Sequence, residues 1–73
     1  MKTSSINIGK CLRIAQAMKD VTNVELARHF SVKPQQVVRW RNAEDMAIRR
    51  MEEIAGYFNM SLIEFMSLSD AKS

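Results

Sequence analysis

Glycine and proline are scarce in this chain of 73 residues, which has two of the first and one of the second. With 47% hydrophobic residues, that scarcity excludes a disordered or low-complexity polypeptide. Cysteine and histidine number one each, too few to build a zinc site. Cys11 on its own cannot close an internal disulfide, which points to a reducing, cytoplasmic setting. No apolar run is long enough to span a bilayer, and Asn7, Gly9 and Lys10 interrupt any signal-peptide core at the start of the chain. No internal repeat is visible. No Ser/His/Asp set or pair of carboxylates stands out, and the adjoining Glu52 and Glu53 would point in different directions on a helix. The expectation is therefore a single domain that is not an enzyme, with no cofactor, no metal, no membrane contact and no small-molecule ligand.

Charge is present and unevenly spread. The chain carries a net +3, but residues 1–42 hold eight basic and two acidic side chains, a net of +6, and residues 43–73 hold three basic and six acidic ones, a net of −3. A basic half suits a polyanion such as nucleic acid. A solvated surface of the same charge is the plainer alternative, and charge alone does not choose between them.

Hydrophobic spacing gives five short helices and no strand. Ile8, Cys11, Leu12, Ala15 and Met18 recur at steps of three and four, predicting a helix over about 7–19 with these on its inner face. Cys11 there reads as a small buried hydrophobe. Thr22 and Glu25 have the spacing of a capping box, opening a helix over about 23–30 with Leu26, Ala27 and Phe30 inward. Ser31-Val32-Lys33 makes a turn, with Val32 as an apolar plug. Pro34 fits the first position of the next helix, where its missing N–H costs nothing. That helix covers about 34–41 with Val37 and Trp40 inward. Glu44 and Asp45 suit the start of a fourth helix, expected over 46–58 with Ile48, Met51, Ile54, Ala55 and Phe58 inside. Asn59 suits a left-handed stop. Ser61 and Glu64 form a second capping box for a fifth helix with Leu62, Phe65 and Met66 inside. Residues 68–73 read as a frayed tail.

The segment NVELARHFSVKPQQVVRWRN, residues 23–42, is thus two short helices joined by a tight turn. Its second helix presents Gln35, Gln36, Val38 and Arg39, side chains that suit base edges in a major groove. A glutamine amide donates and accepts at once, matching adenine N6 and N7. Arg39 can grip guanine O6 and N7 with two bonds, or hold a phosphate, and an exposed Val38 would suit a thymine methyl. The alternative for Val38 is a rotated helix that buries it. Asn23, Lys33, Arg41 and Asn42 are candidates for phosphate contact, since amide and cationic side chains near helix ends fix register on the backbone; each is otherwise an ordinary solvated residue. Trp40 reads as core and not as a base-stacking ring, and His29 as a surface residue.

This pattern resembles the helix-turn-helix domain of phage Cro and repressor proteins, the lambda-repressor-like or Xre family. The resemblance spans Leu12 to about Leu68. It rests on Glu25-Leu26-Ala27, Val32, Val37, Trp40 and Asn42, and on EIAGYFNMSLIEFM (residues 53–66), which is similar to the family's closing "IAxxLxVSxxxLL" pattern. Three features depart from it: Ser31 stands where glycine is usual, Arg41 where glutamate is frequent, and the loop from Asn42 to Ala47 is about one residue short and holds Glu44 and Asp45, whose charges repel phosphates. The resemblance implies an all-α, five-helix DNA-binding domain that puts its second motif helix in the major groove, with dimers spacing two such helices one DNA turn apart. It implies that Lys33, Pro34, Gln35, Val38, Arg39 and Asn42 lie on the outer side with Gln36 at the edge, and that the C-terminal part, with Tyr57 and Met60 as candidates, pairs two copies. The expected function is a sequence-specific transcriptional regulator, a small phage or prophage protein of the Cro or repressor type that occupies an operator. An antitoxin that binds both DNA and a toxin, or a protein-interaction module that has lost DNA binding, are the competing expectations.

Overall fold

Asn7 begins the first helix. It holds an extended conformation, and its side-chain oxygen accepts a hydrogen bond from the Lys10 amide at 3.0 Å, covering a donor that has no partner inside a first turn. A computed structural model describes residues 7–69 of the chain. Within them lie five helices: α1 (Ile8–Lys19), α2 (Asn23–Phe30), α3 (Pro34–Arg41), α4 (Ile48–Tyr57) and α5 (Leu62–Ser67). No strand occurs among the described residues, so the domain is all-α.

Local chemistry sets most of the boundaries. Both capping boxes form: Thr22 exchanges bonds with Glu25 and Ser61 with Glu64, each carboxylate reaching back to the cap amide at 2.8 Å. Three chain reversals use left-handed residues that are not glycine, Asp20, Ser31 and Asn59, with φ of 56°, 57° and 62°. Ser31 thus holds a conformation that strains a side chain other than glycine, and its amide bonds back to the carbonyls of Ala27 and Arg28. Pro34 opens α3 at the position where its ring is harmless.

Leu12, Leu26, Val37, Ile54 and Phe65 are fully buried and draw one residue from each helix into a common core. α3 packs on α1 and α2, while α5 packs on α1 and α4. α3 is thereby clamped from inside while its outer face stays free.

Several inner-face expectations need correction. Met18 is 60% exposed, and Gln16 is the residue buried beside Ala15. Ile48 is 57% exposed, because α4 starts only at Ile48 and Met46 supplies the apolar contact from the preceding loop. Glu44 and Asp45 do not sit in the first turn of α4; its cap is Ala47 and no acid occupies that turn. Asp45 instead accepts the amide of its neighbour Met46 at 2.8 Å. Of the tail expected over 68–73, Leu68 packs against the core, Ser69 is half-buried, and residues 70–73 lie outside the described residues.

Candidate nucleic-acid interface

The rotation of α3 decides which side chains can meet a partner. Val37 is fully buried and Trp40 is 8% exposed. Trp40 is held on several sides. The Phe30 ring meets it edge-on at 5.6 Å, and the Arg50 guanidinium lies 4.9 Å from its centre. Arg50 is in turn paired with Glu53 at 3.0 Å. With these two residues pinned inward, the 3.6-residue period turns Gln35, Val38 and Arg39 outward. All three are exposed and Gln36 is half-buried at the edge. Val38 is 44% exposed, which removes the alternative of a buried valine.

Lys33, at the N-cap of α3, is exposed as well. The ion pair formed among the described residues is Arg50–Glu53, so no carboxylate there neutralises Lys33 or Arg39. Asn42 caps α3 and is exposed, but its amide nitrogen is turned back to the Val38 carbonyl at 3.1 Å. Asn42 therefore offers a partner its oxygen more readily than its donors.

Arg41 and Asn23 are engaged differently. Both are half-buried. Arg41 Nη1 donates to Gln16 Oε1 and, at 3.4 Å, to Asn23 Oδ1. Gln16 Nε2 donates to the same Asn23 oxygen at 2.9 Å and to the Val21 carbonyl at 3.1 Å. The last residue of α3, the first residue of α2 and the middle of α1 thus meet at one buried amide. Sequence reading missed Gln16. Its signal was its place four residues after Leu12, on the inward stripe, in a helix whose other stripe positions are apolar.

A second feature is an open cleft of about 560 Å³ lined by His29, Phe30, Arg50, Glu53, Gly56 and Tyr57. Tyr57 packs on His29 with ring centres 4.6 Å apart, so neither ring stands alone in solvent. Tyr57 and Met60 are half-buried and rest against the core. No residue of the α3 outer face lines this cleft. Among the described residues no three of His, Cys, Asp and Glu come together as a metal-ligand set, and no helix is long and apolar enough to cross a membrane.

Set beside known proteins, the chain matches no family model, no curated protein and no solved structure.

Proposed function

We propose that this chain is a sequence-specific regulator that binds double-stranded DNA through the outer face of α3, as a helix-turn-helix protein of the Cro or repressor type does. The observation that carries the reading is the rotation of α3. Val37 and Trp40 face the core while Gln35, Val38 and Arg39 face solvent together. A two-way hydrogen-bonding amide, a methyl-bearing side chain and a fork of N–H donors on one exposed helix face form a set for reading base edges. Lys33 beside them would anchor the phosphate backbone, which contributes affinity without sequence information. Bound at an operator, a protein of this kind would block polymerase. Selection of bound duplexes from a random DNA pool tests the reading. A reproducible consensus is the expected result, and a palindromic one would mean that two copies bind together. Recovery of no enriched sequence, with no retention of duplex at low salt, would end the proposal.

Two substitutions separate base reading from backbone anchoring. Gln35→Ala should cost about 1–3 kcal/mol on the selected site and relax preference at one base pair, because the adenine edge is left without its donor and its acceptor. Measured on a panel of single-base variants, an unchanged preference would remove Gln35 from the reading set. Lys33→Ala should weaken binding to selected and scrambled duplexes alike. It should also make log K less dependent on log salt by about 0.9, the effect of freeing one phosphate from its cation. An unaltered slope would mean that Lys33 meets only water.

Pairing of two copies through the α4–α5 end, near Tyr57 and Met60, is part of the proposal. It would double the interface with DNA and match a two-fold operator. Sedimentation of the protein with and without a selected duplex tests it; a single copy on a single half-site would leave the recognition face in place and remove the dimer.

A further inference from the structure

Among the described residues Gln16 is the one polar side chain buried in the core, at 4% exposure, and no buried side-chain nitrogen or oxygen there lacks a hydrogen-bond partner. An amide has two donors and an acceptor oxygen with two lone pairs. Gln16 uses both donors, on the Val21 carbonyl and Asn23 Oδ1, and gives its oxygen to Arg41 Nη1. This arrangement admits one orientation. Turned over, the amide would set its oxygen against two oxygens and its NH2 against a guanidinium. The orientation of Gln16 therefore fixes that of Arg41.

The guanidinium has five N–H donors in a planar fork. Only Nη1 has protein partners among the described residues, so the edge formed by Nη2 and Nε keeps its donors. Such an edge fits two oxygens of one phosphate. A free arginine on a surface would have to give up most of its rotamer freedom to make that contact. Arg41 has given it up already, because Nη1 is tied to a residue that cannot turn.

We infer that Gln16 is a positioning residue for DNA binding: its buried amide holds Arg41, with Asn23, so that the unclaimed edge of the guanidinium is set to receive a backbone phosphate. The inference rests on the reading of α3 as the DNA-binding helix. It adds a residue that itself touches no DNA, and it makes Gln16 and Arg41 a single unit. Removing either should therefore release the same phosphate, and removing both should cost no more than removing one.

The test uses Gln16→Met, which keeps length and volume but no amide, Arg41→Met, and the double variant, each checked for folding by circular dichroism. Duplex binding is titrated against salt on a selected and a scrambled sequence. Each single variant should lower the slope of log K on log salt by about 0.9. That is a factor of about 3.5 over a fourfold change in salt, equal on both duplexes. The double variant should lower the slope by the same amount and not by twice as much. In the free protein, the two Arg41 Nη1 protons, held by Gln16 and Asn23, should exchange more slowly with water than those of Nη2 and Nε, and the difference should vanish in Gln16→Met. A folded Gln16→Met with the wild-type slope overturns the inference, and so does a double variant whose deficit is the sum of the two. Nη1 protons that exchange as fast as those of Nη2 and Nε in the wild-type protein overturn it without any variant, which matters if Gln16→Met fails to fold. An unchanged slope in Arg41→Met also overturns it, while binding through α3 stands. Failure of the wild-type protein to bind any duplex removes instead the reading on which it rests.

Discussion

Trp40→Ala should destabilise the domain by about 3–5 kcal/mol, as expected for removing a buried tryptophan. Trp40 and Val37 are the buried residues of α3, so the substitution takes away the larger of two anchors that hold the helix down. It also leaves the Phe30 edge and the Arg50 guanidinium without the ring they pack on. A domain of this size has a total stability of roughly 4–11 kcal/mol. The loss is therefore a large fraction of the whole, and the melting temperature should fall by more than about 10 °C. Trp40 is the only tryptophan, so the melt has to be followed by circular dichroism and not by indole fluorescence. The opposite role for Trp40, stacking on a nucleic-acid base, makes the opposite forecast: an unchanged melt and a fall in DNA affinity. A stable Trp40→Ala protein would mean that α3 is turned differently, and the outward set of Gln35, Val38 and Arg39 would no longer hold.

What the sequence made legible, and what it did not, divides by the range of the interactions. The two capping boxes, Pro34 at the head of α3 and Asn59 in the left-handed region depend on partners within a few residues, and spacing alone reveals them. The bounds of α2 and α3 follow from the same local rules. So does the face of α3, because Val37 and Trp40 are its only strongly apolar positions at helical spacing apart from Val38, and a pair three apart fixes an inner side. The errors lie where a distant element decides. Met18 fits the period of α1, but nothing packs over the end of that helix, and it remains exposed. Gln16 looks like a surface residue until Val21, Asn23 and Arg41 are brought to it from two other elements and a turn. Ile48 fits the period of α4, but the six residues between α3 and α4 are spent on a loop, so the helix begins at Ile48 with that side chain in solvent. The candidate phosphate residues divide in the same way. Lys33 is open as its position suggested. Arg41 and Asn23 look equally open in sequence, but both are held by Gln16.

Gly9→Ala should destabilise the domain by about 2 kcal/mol, although alanine is the better helix former by about 1 kcal/mol. The reason is space and not backbone conformation, since no glycine here has a positive φ. The Gly9 amide donates to the Ala43 carbonyl at 2.8 Å, which brings the first turn of α1 against the chain leaving α3. A Cβ on residue 9 would lie 2.7 Å from that carbonyl oxygen and closer still to the Arg41 carbonyl oxygen. Both obstacles are main chain, so no rotamer change relieves the overlap, and α1 must separate from the end of α3. Gly56→Ala is the matched control. Its added Cβ meets nothing within 4 Å, and the substitution should stabilise by up to about 1 kcal/mol through helix propensity alone. One chemical change at two helical glycines should thus shift the melting temperature in opposite directions. The consequence for Gly9 extends beyond stability. The atoms that must give way belong to Arg41 and Ala43, so the displacement falls on the residue that Gln16 holds. If α3 binds DNA as proposed, the affinity of folded Gly9→Ala protein should fall on selected and scrambled duplexes together, with base preference intact, because Gln35, Val38 and Arg39 lie further back along α3. A Gly9→Ala protein as stable as wild type would show that α1 and the end of α3 do not approach this closely. A weakened base preference would place the disturbance in the middle of α3.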